Sequence, residues 1–525
     1  MSVAQGNPSS ASHGGPTRTH LKIAVLAAAI DFALATMPAR ATDFVVIDAG
    51  DSGPGTLRQA ALDANATSGP HTITFALPAG TTIALTSGEI LFQDRDVAIE
   101  GPGRDALTIS GSRLSRIFDV QGDGTLSVSE LTLRDGLALG DDSNVFDQRG
   151  GAILVGIPNT DFTLPPPPEV PGLALSRVDI FGSAAYSPTD GGGGGVFMQD
   201  GTLAIDHCTI DGNFARRNGG AVTTRRGTVN ISDTAFTNNI ADIATADGEV
   251  LAEGGGVFIN RSAGSMTRSI VRGNTLTDMN GIGAANGGGL GGAGLDVLMQ
   301  FEPFRIDDSE FSDNVATDLP FAIGGGLRCH EEPDGTLPTL TLVNSTISGN
   351  VGNYGAGAEV GCATHILNTT VADNTSTNYY GDGGHPGIEA YSPNYGEQVE
   401  VTITSSIVSG NLGGGADVGI YHYDGYDDPA FVGSNALVLS VDDNVTLPPD
   451  TIIGVDPGLA PLANNGGATR THALSAGSVA IDAGINPETL PYDQRGAGFA
   501  REIGGTADIG AFEFDPDLIL ANGFD

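Results

Sequence analysis

One phrase returns so often along the chain that it limits what the chain can fold into. IDGNFARRNGGAV (210–222) sets an apolar residue three before Asn213 and a glycine pair, Gly219-Gly220, six after it. Aligned on Asn213, apolar residues stand ten and eight before it (Leu203, Ile205), with Cys208 five before and Ile210 three before. The frame recurs as Val229, Ile231, Thr234, Phe236, Asn239, and as Phe304, Ile306, Ser309, Phe311, Asn314. Leu340, Leu342, Ser345, Ile347, Asn350 follow, then Thr364, Ile366, Thr369, Val371, Asn374 and Val401, Ile403, Ser406, Val408, Asn411. Gly264, Met266, Ser269, Val271, Asn274 is a weaker copy, and the runs from Leu126 to Gly136 and Leu173 to Ser183 lose the Asn.

Alternation with period two marks a strand with one buried face. The jump from eight to five before Asn breaks that alternation, as a corner between two strands would. Asn tolerates the left-handed backbone of a sharp turn, and Asn side chains stacked every ~4.8 Å can hydrogen-bond along a ladder. The glycine pairs Gly150-Gly151, Gly194-Gly195, Gly219-Gly220, Gly254-Gly255, Gly287-Gly288 and Gly324-Gly325 supply a second corner without a Cβ penalty. Both landmarks return once per unit of 24 to about 40 residues, so each unit is expected to be one turn of a parallel β-solenoid. Neither leucine-rich spacing nor the antiparallel hairpins of a propeller appear. The segments between Asn and the glycine pair vary in length and should stack as loops on one flank, the usual place for binding in a repeat array.

Composition agrees with tight turns: Gly is 78 of 525 residues, Trp is absent and aromatics are 6%. The formal charge is 23 − 63 = −40, and Lys22 is the single lysine. Such a field opposes nucleic acid and anionic membranes as partners and leaves cations, metal ions and neutral glycans open; solubility alone also accounts for it. Residues 1–41 are expected to be an export signal: Arg18 and Lys22 precede IAVLAAAIDFALA (23–35), and Ala39-Arg40-Ala41 offers a cleavage site. No other stretch is apolar for long enough to span a bilayer as a helix. Three cysteines (Cys208, Cys329, Cys362) are too few for a disulfide scaffold and allow at most one intramolecular pair.

At the ends, GTLRQAALDANA (55–66) puts Leu57, Ala60, Ala61 and Ala64 on one helical face, as a short helix capping the open end of a solenoid would. This start, DSGPGTLRQAALDANA with TITF, resembles that of bacterial secreted right-handed parallel β-helix proteins. The φ-x-x-N and GG-x-φ alternation resembles the repeats of polymorphic outer-membrane proteins. Residues 456–513 are similar to the C-terminal module called choice-of-anchor Q, and LILANGFD resembles a short bacterial sorting tail. The resemblance implies an all-β fold, a single right-handed parallel β-helix (a pectate-lyase-like solenoid) with a short N-terminal capping helix. It implies an export signal (1–41), a cap with the first rungs (42–120), repeats (121–440), a C-terminal module (441–514) and a tail (515–525). It also implies an extracellular or outer-membrane-associated destination in a Gram-negative-type bacterium. The membrane β-barrel that ends polymorphic outer-membrane proteins has no counterpart after residue 440.

A glycosidase of this shape wants carboxylates roughly 5–10 Å apart on one strand face. Asp141-Asp142 is the suggestive pair in an early rung, in a sequence that reads better as a solvated turn. Arg216, Arg217, Arg225 and Arg226 stand out on so acidic a chain; ion pairing between rungs is the plain reading, and a clamp for an acidic glycan the functional one. Cys329-His330 and Cys362-x-x-His365 lie in adjacent rungs but match no standard zinc spacing. Ordinary turns are the favoured reading, with a Cys329–Cys362 disulfide as the alternative, and Cys208 is expected to be packing.

Eight of the ten tyrosines fall in 354–426. Tyr379, Tyr380, Tyr391, Tyr395, Tyr421, Tyr423 and Tyr426 form the candidate glycan-binding set, accompanied by Asp382, His385, Glu389, Asp424, Asp427 and Asp428. Tyrosine buries much area and keeps a polar tip, while carboxylates bind sugar hydroxyls. The sequence thus supports an exported, non-catalytic β-helix displaying loops to an extracellular polysaccharide or cell-surface glycan, adhesin-like and monomeric. The alternatives are a polysaccharide lyase or glycoside hydrolase acting on acidic polysaccharides, and a passive structural protein. No catalytic residue, metal ligand or cofactor is assigned, and Ca²⁺ has no specific motif behind it.

Overall fold

The computed structural model describes residues 42–139, 148–156, 170–186, 192–243, 251–279, 289–299, 303–316, 321–331, 339–377, 384–393 and 398–517. The expected export signal (1–41) and the end of the tail (518–525) lie outside them. Residues from 41 onward form one compact unit, and it is a parallel β-helix. Among the described strands every ladder is parallel. Val222–Ser232, for example, pairs residue by residue with Val196–Asp206 on one side and Val257–Thr267 on the other.

Each rung crosses up to four columns of strands. The first follows the glycine corner (Val196–Gln199, Val222–Arg225, Leu295–Leu298, Ala358–Gly361). The second carries the ten-and-eight alternation, and the third the residue three before Asn (Thr209–Asp211, Ala235–Thr237, Ile270–Arg272, Glu310–Ser312, Thr346–Ser348). The register stacks Ile210, Phe236, Val271, Phe311, Ile347, Val371 and Val408 directly upon one another, all buried. The side chains that the alignment places in register therefore form one continuous core.

Asn acts differently at its corner from the sequence expectation. The left-handed residue is the one before it: Gly212 (φ 61°), Asn238 (54°), Asp313 (56°), Asp373 (57°). The ladder Asn instead turns its side chain inward. Asn213 Nδ2 donates to Asn239 Oδ1 (3.1 Å), Asn239 to Asn274 (3.0 Å), Asn274 to Asn314 (3.0 Å), Asn314 to Asn350 (2.9 Å), Asn350 to Asn374 (2.8 Å) and Asn374 to Asn411 (2.8 Å). Each accepting Oδ1 also takes the backbone N–H of the Asn before it, so polar groups far from water stay paired. The two copies that lack Asn extend the ladder by other means: Ser183 N donates to Asn213 Oδ1 (2.9 Å), and Gly136 N to Ser183 Oγ (3.1 Å).

A second ladder runs five residues earlier. Thr234 N donates to Ser269 Oγ (3.3 Å), Ser269 N to Ser309 Oγ (3.1 Å) and Ser309 N to Ser345 Oγ (3.0 Å). Cys208 belongs to it, its thiol accepting from Val178 N (3.4 Å), so it does more than fill space. The glycine corner is left-handed at its first residue (Gly150 φ 65°, Gly219 58°, Gly254 67°, Gly324 64°). In two rungs it sits elsewhere than the pairing of glycines implied. Gly193 (65°) rather than Gly194 opens one corner, and Gly292 (62°) opens another; Gly287-Gly288 lies outside the described residues.

The span between Asn and glycine is more than a loop. Its first residues form the fourth column, eight short strands from Leu137–Leu139 to Thr375–Ser376. Longer spans then add Leu251–Glu253, Gly289–Gly291 and Phe321–Ile323, stacked as a small sheet of their own. Ala241, Ile243, Ala252, Leu276, Ala293, Ala316 and Ala322 make a second core between them. The insertions thus do stack on one flank.

The helix Leu57–Ala66 caps the start of the coil and buries Leu57, Ala60, Ala61 and Ala64, the expected face. Thr56 caps it, accepting from Gln59 N (3.3 Å), and Arg58 ties it to Asp51 and to the carbonyls of Gly88 and Glu89. At the other end, residues 456–517 form an irregular strap lying on the third column. Gln494 meets Thr346 Oγ1, His472 meets Ser348 Oγ (2.8 Å), Arg470 binds Glu310 and Asp313, and Ala511 N donates to Thr370 Oγ1 (3.0 Å). Leu474, Ala480, Ile509 and Phe512 cover Ile407 and Leu437 beneath it. No helix among the described residues is long and apolar enough to cross a membrane.

Candidate functional site

Side chains of the first column alternate between the core and the outside. In its outward file the register runs Phe197, Thr223, Phe258, Asp296, Arg328, Glu359, Glu389. Halfway along, the file changes from uncharged to charged, yet the charged members stay inside: Asp296 is 0% exposed, Glu389 2% and Glu359 6%. Charges removed from water cost several kcal/mol each unless paired, so this file is a poor choice for a part that merely builds the coil.

Arg328 is the hub. Its Nε donates to Glu359 Oε2 (3.0 Å), and its Nη1 stands 3.5 Å from Asp296 Oδ2 and 3.8 Å from Glu253 Oε1. Glu253 reaches the group from the small flanking sheet, where its strand pairs with Gly289–Gly291. His330, two residues past Arg328 and outward on the same strand, brings Nε2 to 3.0 Å from Asp296 Oδ1 and 3.6 Å from Glu253 Oε1. Burial and the Asp296 charge push the Glu253 carboxyl up, against the pull of His330, Arg328 and Arg225. Burial raises Glu359 as well, opposed by Arg328.

One rung on, two rings lie flat on the sheet because glycine leaves room for them. A Cβ on Gly361 would stand 2.2 Å from Tyr391 Cζ, and one on Gly419 2.1 Å from the His385 ring. Tyr391 is buried beside Glu359 and Arg328, and its hydroxyl is pushed well above the ordinary tyrosine range by burial and by Glu359. From it a chain of rings runs outward, edge-on in Tyr391–Tyr423 (6.0 Å between centroids), Tyr423–Tyr421 (4.8 Å) and Tyr421–Tyr354 (5.8 Å), and tilted in Tyr423–Tyr426 (5.8 Å). Tyr421, Tyr423 and Tyr426 are 36–45% exposed.

Beside these rings opens a cleft of about 380 Å³ walled by Tyr354, Tyr421, Ile420 and His422, with Glu389, His385 and Asp442 in its lining. His385 Nε2 is 3.3 Å from Asp442 Oδ2, its Nδ1 3.2 Å from Ala416 O, and its backbone N–H points to Glu389 Oε2 (3.3 Å). Burial lowers the His385 pKa, with the Ala416 carbonyl and Asp442 working against it, so the ring is neutral near pH 7. Among the described residues the lining contains two carboxylates and no Arg or Lys.

Of the seven tyrosines singled out in the sequence, Tyr391, Tyr421, Tyr423 and Tyr426 come together with Tyr354, while Tyr379, Tyr380 and Tyr395 lie outside the described residues, as do Asp141, Asp142 and Asp382. The four arginines are divided. Arg216 stacks over Tyr186 (5.7 Å) in the fourth column, Arg225 over Phe197 (5.8 Å) in the first, and Arg226 pairs with Asp200 (2.7 Å) at a left-handed bend. Arg217 lies half-buried near Arg225, whose charge adds to burial in lowering its pKa. Cys329 and Cys362 form a disulfide, Cα atoms 5.8 Å apart, where ordinary turns had been the favoured reading; adjacent rungs bring them to bonding distance. Glu253, Asp296, Arg328 and Glu359 are not among the candidates that the sequence offers. The available signal was the position four residues after each left-handed glycine, which turns from Leu154, Phe197, Thr223 and Phe258 to Asp296, Arg328 and Glu359.

No family model matches the sequence, and no curated protein matches it. Among solved structures the chain is similar to pectate lyase Pel9A, at 12% identity and a TM-score of 0.35 over 90% of this chain and 96% of that one. It is also similar to the catalytic domain of a GH87 α-1,3-glucanase in complex with tetrasaccharides, at 10% identity and a TM-score of 0.33 over 74% of this chain and 68% of that one.

Proposed function

We propose that the chain is an exported β-helix protein that binds a glycan in the tyrosine-walled cleft. The observation that carries this reading is the lining itself: Tyr354 and Tyr421, edge to face at 5.8 Å, share it with Glu389, His385 and Asp442. Aromatic faces receive the C–H side of a sugar ring, and carboxylates accept from its hydroxyls. Among the described residues the lining has two carboxylates and no Arg or Lys, which opposes a uronate, so the ligand is a neutral or amino-sugar glycan rather than an acidic polysaccharide. The Cys329–Cys362 disulfide supports an oxidising compartment and hence export.

The test is affinity electrophoresis and calorimetry with neutral soluble glycans (mixed-linkage glucan, xylan, galactomannan, dextran), chitosan, and polygalacturonate as comparator. Tyr421→Ala is expected to weaken binding to the best ligand by at least tenfold, about 1.4 kcal/mol, with the far-UV spectrum unchanged. The reading fails if no neutral or amino-sugar glycan binds, if polygalacturonate binds better, or if the variant binds as wild type does.

A second reading, glycoside hydrolysis, is favoured by one specific feature. Glu389 and Asp442 both approach the neutral His385 within the same cleft, a pair of carboxylates of the kind such chemistry uses. Reducing ends released by wild type and not by Glu389→Gln would select it over binding alone.

A further inference from the structure

Three side chains away from the tyrosine cleft have no place in that reading. Glu253, Asp296 and His330 turn one donor atom each toward a common point, all within 4.8 Å of one another. They come from three separate segments held by backbone pairing: Glu253 from the small flanking sheet, Asp296 and His330 from neighbouring strands of the first column. We propose that they form a site for a divalent transition-metal ion of the zinc class, three protein ligands with a fourth position left for water or a ligand.

Geometry is the first argument. Oxygen and imidazole donors 2.0–2.2 Å from a tetrahedral ion stand roughly 3.3–3.6 Å apart. His330 Nε2 lies 3.0 Å from Asp296 Oδ1 and 3.6 Å from Glu253 Oε1, so small side-chain adjustments place an ion between them.

Unused bonding capacity is the second. Asp296 is 0% exposed, yet neither of its carboxylate oxygens accepts a hydrogen bond, and His330 Nε2 makes none. Arg328 Nη1 approaches Asp296 Oδ2 only to 3.5 Å and spends its Nε on Glu359. A wholly buried carboxylate without hydrogen bonds is costly, and a metal ion satisfies both oxygens and the imidazole at once.

Charge is the third. Glu253, Asp296 and Glu359 crowd round the single Arg328 guanidinium within 4 Å, and a dication adds positive charge among these carboxylates. The donor set also selects the metal. One imidazole and two carboxylates suit Zn²⁺, Co²⁺ or Mn²⁺, whereas Ca²⁺ requires six to eight oxygens. The other convergent trio among the described residues, Asp206, His207 and Asp233, is on the surface with its groups engaged by one another, Ser232 and Arg268, and makes no such case.

The experiment uses the full chain, stripped with chelator and desalted, then titrated with Zn²⁺ and separately with Co²⁺. One equivalent of zinc retained through gel filtration is expected, with a raised melting temperature and strong visible Co²⁺ absorption of tetrahedral type. His330→Ala and the near-isosteric Asp296→Asn should each weaken zinc binding by at least tenfold, while His365→Ala, an exposed histidine on the second column, should not. No retained metal, weak octahedral-type Co²⁺ absorption, full binding by Asp296→Asn, or equal loss in His365→Ala would each overturn the proposal. None of these readouts involves a glycan, so the cleft and the metal site stand or fall separately.

Discussion

Asn314 holds together three rungs. Its Oδ1 accepts from Asn274 N and Nδ2 (3.0 Å each), and its Nδ2 donates to Val271 O and Asn350 Oδ1 (2.9 Å each), all away from water. Truncation removes four hydrogen bonds and strands donors that have no other route to solvent. Asn314→Ala is therefore expected to lose about 2–5 kcal/mol of stability, more than most single substitutions. Asn314→Ser should lose less, because Ser183 already shows that a hydroxyl at this position can continue the ladder toward a neighbouring rung. Urea midpoints of the two variants check the order; a loss under about 1 kcal/mol for the alanine variant would mean that the core alone sets stability. Cys208 gives a parallel lesson. Burial pushes its thiol up to about 12, so in the ladder it is a neutral acceptor rather than a nucleophile.

The strap is the element whose attachment responds to pH. Asp308, at a left-handed corner (φ 51°) between the second and third columns, lies under it. Its carbonyl accepts from Thr469 Oγ1 (3.3 Å), and Asn344, which donates to Asp308 Oδ1 (2.8 Å), also donates to Tyr492 O (3.2 Å). Burial pushes the Asp308 carboxyl up to about 7, the Asn344 amide opposing this and the Asp307 charge adding to it. An acid whose folded pKa exceeds its unfolded value keeps its proton in the folded chain while the unfolded chain has released it. Its contribution is thus largest below about pH 4, declines as pH rises to about 7, and is level beyond. Asp308→Asn keeps the group neutral and accepts the left-handed backbone. The variant should melt with wild type at pH 4 and about 1–4 °C above it at pH 8. Glu513, raised by burial to about 8 within the strap, titrates in both proteins and cancels in the comparison. Equal melting temperatures at pH 8 would show that Asp308 ionises in the folded chain as readily as in the unfolded one.

Across the molecule, what the sequence revealed follows from which contacts repeat. The core files and the Asn ladder recur at fixed offsets because stacked rungs demand the same side chain at the same height, so Ile210, Phe236 and Ile347 could be aligned by counting. The charged outward file escaped that frame. Insertions of unequal length separate it from the Asn, placing Asp296 22 residues after Asn274 and Arg328 14 after Asn314. Only the left-handed glycine restores its register. The strap has no period at all, since it lies along the stack rather than within it. The same arrangement governs charge. Many arginines are held inside or across rungs, as Arg58 with Asp51, Arg116 with Glu89, Arg226 with Asp200 and Arg495 with Asp493. Among the described residues many carboxylates face solvent instead, Asp43, Asp63, Asp424, Asp427 and Asp456 among them, on one compact unit. Self-repulsion of this kind weakens the compact state and is screened once the Debye length falls from about 30 Å at 0.01 M salt to about 8 Å at 0.15 M. The melting temperature at pH 7.5 is accordingly expected to rise by several degrees between 10 and 200 mM NaCl, and to change little above that. A fall over the same range would mean that the rung-to-rung ion pairs, which salt weakens, outweigh the repulsion between the carboxylates outside.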